Sequence, residues 1–586
     1  MKRTKIVCTI GPASEDQKML RELINAGMNV ARLNFSHGSH AEHAAKIKNI
    51  RKIREELDIP VAIAMDTKGP EIRLGTFVDH QPVDLKQGDK IILTTLPCEG
   101  NSERVHVSYE GLAADVSIGT KILVDDGLVE LEVEQVKDNT EIYCRALNYG
   151  RISDRKGVNV PGTIIKLPAI TEQDRADIMF GIEAGVDMVF ASFVRSAADL
   201  LEIRHVIEEN GGSKVQIFAK IENHQGVQNI DEILDAADGI MVARGDLGVE
   251  IPTQEVPLVQ KQIIRKANMA GKPVITATQM LDSMQRNPRP TRAEVNDVAN
   301  AILDGSDAIM LSGETAAGRY PREAVLTMSD IAETTEASPD FKRGVIMKER
   351  WATVDVSSSI SRSTCQIASQ IKADAIVAAT TSGFTARQIS KYRPYVPIIA
   401  VTPEEIVYNQ LSIVWGVTPM KAEVFTETDQ LVESSILASL KSKLVHEGDQ
   451  IVLTAGIPSG YGSATNMIKV HTVGDILVTG QGLVGRTVVG KAVLGSTAKE
   501  LEGRFEDGDI LVAKFASPDL LPYMQNAGAI IVEEGGLTSL AAIFGMQYNI
   551  PTVVDTMRAS KVIKDGATIT VDSTTGIVYK GVAKVL

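Results

Sequence analysis

Aromatic residues make up only 4% of this 586-residue chain, too few for the stacking platforms on which single-stranded nucleic acids lie. Cations are also scarce: 61 Lys and Arg against 75 Asp and Glu leave a net charge of −14, so no surplus remains to hold a phosphate backbone. No run of about 18 apolar residues occurs, so no bilayer-spanning helix is expected. The opening Met1-Lys2-Arg3-Thr4-Lys5-Ile6-Val7 is basic, but polar residues return at Thr9 before any long apolar stretch, unlike a signal peptide. The four cysteines, Cys8, Cys98, Cys144 and Cys365, form no C-x-x-C pair, which argues against a zinc knuckle or a disulfide framework. The expectation is a protein of the reducing cytoplasm that binds neither nucleic acid nor membrane.

The length predicts about three to five domains, and 44% hydrophobic with 23% charged residues is the balance of a folded chain. Short β-branched runs recur at Lys5–Ile10, Asn29–Leu33, Val61–Asp66, Met188–Ser192, Gln216–Ile221, Gly239–Ala243, Val274–Thr278 and Ala308–Ser312. Each precedes a stretch with helical spacing. Nearly all are continuously apolar, as parallel strands covered on both faces must be. Eight such units predict a closed (β/α)8 barrel, a TIM barrel within an α/β chain, spanning 1–69 and 168–340.

One connection is anomalous. After Asp66 no helix is expected until about Thr171. The intervening 70–167 alternates polar and apolar residues, as in Lys90–Thr94, Arg104–Ser108 and Glu130–Glu134, between Gly/Asp turns. This predicts a small inserted β-barrel domain on the barrel's rim, placed to act as a lid. An open α/β domain is expected over 341–473 and a glycine-dense fourth unit over 474–586.

Catalytic groups of such barrels lie at the carboxyl ends of the strands, and polar residues stand there on almost every run. Arg32, Asn34, Ser36 and His37 follow the second strand, Asp66 and Thr67 the third, Lys220 and Glu222 the fifth, Gly245 and Asp246 the sixth, Thr278 the seventh and Glu314 the eighth. Lys220 and Glu222, two apart, share one side of their strand, and Asp246 comes from the adjacent strand. Glu222 and Asp246 form the carboxylate pair by which Mg2+ is usually held. With Lys220 and Arg32 beside it, such a metal makes a site suited to phosphoryl transfer. Asn34, Ser36, Asp66 and Thr67 offer oxygen with a single carboxylate, which suits a monovalent cation or plain hydrogen bonding.

Lys5-Ile6-Val7-Cys8-Thr9-Ile10-Gly11-Pro12, Arg32-Leu33-Asn34-Phe35-Ser36-His37-Gly38, Asp66-Thr67-Lys68-Gly69-Pro70-Glu71-Ile72-Arg73, Lys220-Ile221-Glu222-Asn223, Ala243-Arg244-Gly245-Asp246-Leu247-Gly248 and Thr278-Gln279-Met280-Leu281 together resemble the pyruvate kinase family. The resemblance covers residues 1–473, with the motifs in order. It implies phosphoryl transfer from phosphoenolpyruvate to ADP, giving pyruvate and ATP. Lys220 would neutralise the phosphoryl group in flight and Arg32 would grip it. Glu222 and Asp246 would hold Mg2+ or Mn2+. The substrate carboxylate would meet N–H groups left free at Gly245 and Asp246, and the Thr278 hydroxyl, which also bears on the final protonation. Asn34, Ser36, Asp66 and Thr67 would hold K+. Arg73, and Lys156 delivered by the lid, would contact nucleotide phosphates, with Asn34 and His37 at the same site. Relatives with Lys at position 71 dispense with K+; Glu71 here implies activation by K+.

The resemblance further implies a homotetramer. It also implies an allosteric site at Thr380-Thr381-Ser382-Gly383-Phe384-Thr385, where a strand turns into a helix, for a phosphorylated activator, a sugar phosphate or AMP. Gly456–Gly462 would close over it. The tail segment Gly535–Ile543 resembles the phosphohistidine swivelling domain of phosphoenolpyruvate synthase and pyruvate phosphate dikinase, but Leu540 replaces the histidine. A scaffold without that chemistry is expected. His37, His40 and His43, three apart, drift in azimuth on a helix and read as exposed or capping side chains. A dikinase would need the missing histidine and an ATP-grasp domain. A catalytically dead regulator is disfavoured by the intact Lys220, Glu222, Asp246 and Thr278.

Overall fold

The computed structural model describes residues 2–342, 355–423, 428–457, 464–474 and 476–584. The chain divides into two compact units. The first holds residues 2–342 together with Ser382–Arg393 and Glu404–Pro419, and the second holds the described residues of 355–381, 394–403 and 420–584.

In the first unit eight parallel strands close into a barrel. They are Lys5–Thr9, Val30–Asn34, Ala62–Asp66, Met188–Ala191, Gln216–Ile221, Gly239–Ala243, Val274–Ala277 and Ala308–Leu311. Their residues are almost uniformly buried, because barrel interior and helix layer cover both faces. Closure is the pairing of the first strand with the last, Lys5 against Ala308 through Cys8 against Leu311. The surrounding helices carry ordinary start signals: Ser39, Thr171 and Thr291 each close a reciprocal capping box. The helix after the insertion starts at Glu172 behind its cap Thr171.

Inside the barrel Phe190 and Phe218 meet edge to face, 5.5 Å between centroids. Phe218 also lies in register with Gly239 on the next strand. A Cβ at Gly239 would fall 2.2 Å from the Phe218 ring, so glycine is required by the size of its neighbour. The insertion forms a seven-stranded sheet with a two-stranded ribbon around its own apolar core. Its strands alternate buried and half-exposed residues, as in Glu141–Ala146. Two short helical turns, Val78–His80 and Leu112–Asp115, stand where only strands were expected.

The opposite end of the barrel, where the strands begin, is sealed by buried polar pairs. Asp187 accepts from the Ile63 N–H at 2.8 Å and pairs with Arg54 at 3.3 Å, and Gln410 donates to the Asp187 carbonyl at 2.9 Å. Arg393 pairs with Asp307 at 3.0 Å and lies over Trp415.

In the second unit, Ile398–Thr402, Ala375–Ala379, Gln450–Ala455 and Met467–Thr472 follow one another in a sheet whose last strand runs antiparallel. The helices Val356–Gln370 and Thr428–Lys441 belong with it. The glycine-dense tail forms an eight-stranded sheet. Its central strand, Thr487–Leu494, pairs antiparallel with Thr568–Asp572 and parallel with Ile510–Ala513. No helix among the described residues is long and apolar enough to cross a membrane.

Because the Phe218 ring fills the space beside Gly239, Gly239→Ala is expected to cost about 1–3 kcal/mol in overpacking. Phe218→Leu in the same chain should return part of that loss in denaturant unfolding. An unchanged midpoint for Gly239→Ala would contradict this packing.

Candidate active site

The fifth strand ends Ala219-Lys220-Ile221-Glu222, and the alternation of its side chains brings Lys220 Nζ within 2.9 Å of Glu222 Oε1. Nζ also donates to Asp66 Oδ1 at 3.1 Å and Ser192 Oγ at 2.7 Å. Arg32, from the second strand, donates its Nε to Asp66 Oδ2 at 2.5 Å and its Nη1 to Thr9 Oγ1 at 2.9 Å. The Asp246 charge acts on Glu222, and the Phe193 N–H donates to Glu222 Oε2 at 2.6 Å. Arg32, Asp66, Lys220, Glu222 and Asp246 thus form one connected cluster at the carboxyl ends of four strands.

Their protonation follows from burial. Burial works against the Lys220 ammonium, but Asp66 and Glu222 outweigh it and raise its pKa above the ordinary lysine value. Burial also works against the Asp66 carboxylate, but Arg32 and Lys220 hold it below the usual range. Glu222 is pushed up to about 7 by burial and by the Asp246 charge, with Lys220 opposing. Asp246 is raised as well, chiefly by burial. A neighbouring like charge disfavours the ionised form of a carboxyl group, as burial does. A hard divalent cation would favour both ionised forms, since two carboxylates with room for other oxygens suit Mg2+ or Mn2+. The pair fits such an ion. Among the described residues no group of three or more His, Cys, Asp or Glu could hold a metal.

The oxygen-only group differs from expectation. Asp66 is not separate from the cationic cluster: Arg32 takes one of its oxygens, Lys220 and Ser192 the other. Asn34 Oδ1 accepts from the Ser36 N–H at 3.1 Å, and Thr67 Oγ1 accepts from the Ser192 N–H at 3.1 Å. A monovalent ion there would rely mainly on neutral dipoles.

The Gly245 N–H is not free, which corrects the sequence reading there. It donates to Thr278 Oγ1 at 2.8 Å. Short polar side chains satisfy a helix start when no ligand does. Thr278 and Gln279 both have positive φ, +71° and +55°, a costly conformation for a β-branched residue. Arg244 holds it by donating to the Thr278 carbonyl at 2.6 Å while paired twice with Asp297. Sequence reasoning missed Arg244 and Ser192, because neither type stands out without its partner.

A cavity of about 640 Å3 opens beside the cluster, between the inserted domain and the barrel rim. Arg73, Lys156 and Asp246 line it; Asn34 and His37 do not. Lys156 pairs with Asp125 at 2.9 Å and Arg73 with Glu71 at 2.6 Å. Asn159 of the insertion donates to Glu250 of the barrel at 2.8 Å. His37 is exposed in a turn ahead of the helix His40–Leu57, and His43 is buried at 2% exposure. The expectation of exposed or capping histidines fails for His43, because Phe35 offers its ring a stacking face 4.0 Å away.

In the stretch expected to bind an activator, the Thr380 N–H donates to the Val401 carbonyl, and Thr381 is exposed. Ser382 Oγ accepts from the Phe384 N–H at 3.4 Å, Gly383 has φ +76°, and Thr385 is buried. Of Gly456–Gly462, residues 458–462 lie outside the described residues. Leu540 begins the helix Leu540–Tyr548, capped by Ser539.

Three family models match the chain: "Pyruvate kinase, barrel domain" over residues 1–325, "Pyruvate kinase, alpha/beta domain" over 358–471 and "PEP-utilising enzyme, mobile domain" over 505–576. The chain is 52% identical to a pyruvate kinase of Geobacillus stearothermophilus over 586 residues, all of both chains. It is 50% identical to that of Bacillus licheniformis over 587 residues, again all of both. A crystal structure of a pyruvate kinase from Cryptosporidium parvum superposes with a TM-score of 0.75 at 40% identity, covering 80% of this chain and 96% of that one.

The raised Glu222 gives a pH signature. Below about pH 7 its proton must leave before a divalent cation binds. Calorimetry with Mn2+ in buffers of differing ionisation enthalpy should find about one proton released per ion at pH 6 and close to none at pH 8.5. Proton release independent of pH would contradict this charge state.

Proposed function

This chain belongs to the pyruvate kinase family and is a phosphotransferase of that class; from that premise we propose that it moves the phosphoryl group of phosphoenolpyruvate to ADP at the Lys220 cluster. The observation that carries the reading is the buried Lys220 ammonium, 2.9 Å from Glu222 and 3.1 Å from Asp66, beside a carboxylate pair that fits a divalent cation.

Phosphoryl transfer asks a protein mainly for positioning and charge stabilisation. Lys220 remains an ammonium across the working pH range, so its charge faces the phosphoryl group throughout. Arg32, held in plane by Asp66 and Thr9, presents its guanidinium to the same group. Glu222 and Asp246 hold Mg2+ or Mn2+, which when bound neutralises phosphoryl and carboxylate oxygens. Substrate carboxylate displaces the Thr278 hydroxyl from the Gly245 N–H and meets the Asp246 N–H beside it. The Thr278 hydroxyl then turns toward the enolate carbon, where it orients the proton that completes pyruvate. Arg73 and Lys156 exchange their carboxylate partners for nucleotide phosphates, and Lys156 arrives with the lid. Asn34 and His37 bound the nucleotide from the barrel side.

The reaction uses K+ held by Asn34, Ser36, Asp66 and Thr67, since Glu71 supplies no cation of its own. A phosphorylated activator, a sugar phosphate or AMP, binds at Thr380–Thr385. The enzyme works in the cytoplasm as a homotetramer. The reducing compartment is supported by four cysteines that form no disulfide among the described residues, and the assembly by family membership alone. With Leu540 in place of the acceptor histidine, the tail domain supports or binds rather than relays phosphate.

In a lactate-dehydrogenase-coupled assay, Lys220→Met should lower kcat by at least about 10²–10³. A loss under tenfold would contradict the role given to Lys220. Replacing K+ by Na+ should depress wild-type turnover; equal rates would remove the K+ site. Ser382→Glu should abolish activation by a sugar phosphate or AMP while leaving the basal rate, and retained activation would displace the effector site.

A further inference from the structure

His43 is the one buried histidine whose position the chemistry above leaves unexplained. It lies on the first turn of His40–Leu57, directly after the turn that carries His37. Its Nε2 is 2.9 Å from the His37 carbonyl oxygen. A carbonyl only accepts, so Nε2 carries the proton. Burial lowers the pKa of this imidazole, so near neutral pH it is the Nε2–H tautomer.

The ring has no freedom to swing. It stacks on Phe35 at 4.0 Å and 10°. Phe35 packs against Phe180, on whose other neighbour, His40, the same aromatic group continues at 4.4 Å. His40 in turn is tied to Asp177 at 2.6 Å. Packing alone does not call for a histidine there. A phenylalanine would stack as well, and it would avoid leaving Nδ1 buried without a partner among the described residues, which costs free energy. The polar ring is explained by the bond it makes.

That bond falls in a turn already tied on either side, at the Ser36 and Ser39 N–H groups, so it acts on the His37 peptide between them. Gly38, at φ +87°, lets the chain reverse between His37 and the cap Ser39. The His37 N–H reaches the Asn34 carbonyl only at 3.4 Å, and the His37 side chain is exposed. The Nε2–H of His43 is therefore the shorter of the two ties on the His37 peptide groups.

We propose that His43 is a positioning residue for the nucleotide: its Nε2–H holds the His37 carbonyl and so sets where the His37 imidazole meets ADP. This rests on the reading that His37 borders the nucleotide.

The test compares donorless and donor-bearing replacements in the full chain with Mg2+ and K+. His43→Phe keeps the stack and deletes the donor. It is expected to raise KM for ADP at least fivefold while KM for phosphoenolpyruvate stays within twofold. His43→Gln, whose amide nitrogen reaches the place of Nε2, should return KM for ADP to within twofold of wild type. In a His37→Ala background His43→Phe should add no further loss. His43→Met serves as the donorless variant should His43→Phe not fold. An unchanged KM for ADP without the donor overturns the clamp, as does an equal rise in both KM values or an additive loss in His37→Ala. Absence of turnover in the wild-type chain would instead overturn the function reading on which the clamp depends.

Discussion

Charge balance around one buried ammonium governs this site. Lys220 and Arg32 bring two positive charges; Asp66, Glu222 and Asp246 bring three negative ones, which leaves one negative charge in excess in a largely buried place. Buried charge that is not balanced is expensive. Burial raises the pKa of both Glu222 and Asp246, and the Asp246 charge adds to it at Glu222; a cation there would meet the excess. Asp66 serves both sides of the arrangement, since it fixes Arg32 and Lys220 with separate oxygens and so keeps the two cations at a set distance. A barrel suits such a cluster, because neighbouring strand ends deliver side chains to one point while packing beneath them is rigid.

Most of the barrel was legible in the sequence, for a physical reason. Strands covered on both faces must be apolar along their length, and Gln216–Ile221 and Gly239–Ala243 were read with the ends the structure gives them. The lid strands announced themselves by alternation. The tail was harder: Thr487–Leu494 carries Gly490 and is only partly buried, so its period was weak, although it is the strand joining the two halves of that sheet. At the site, residue types at strand ends pointed to Lys220, Glu222 and Asp246, because two-residue spacing and strand adjacency are local rules. The capture of Asp66 by Arg32, the Thr278 hydroxyl on the Gly245 N–H and the stacking of His43 on Phe35 depend on tertiary placement, which periodicity does not encode.

The far end of the barrel makes a useful contrast. Asp187 and Asp307 are buried carboxylates too, but each accepts from backbone at the start of a neighbouring strand and meets an arginine. Among the described residues each is met by an arginine and by backbone rather than by a second carboxylate. Equal burial with complete local pairing is structural, whereas the surplus of negative charge at the rim is what makes that end reactive. The tail domain obeys the same logic by omission: Leu540 opens a well-capped helix and offers no group that could carry phosphate.

The central claim is that Glu222 and Asp246 together hold one divalent cation beside Lys220. A crystal grown with Mn2+ and phosphoenolpyruvate, measured at the manganese absorption edge, tests it directly. The account predicts a single strong anomalous peak at the mouth of the barrel, with one oxygen of Glu222 and one of Asp246 at about 2.0–2.2 Å. A peak bound by neither carboxylate, or by others in their place, would contradict it.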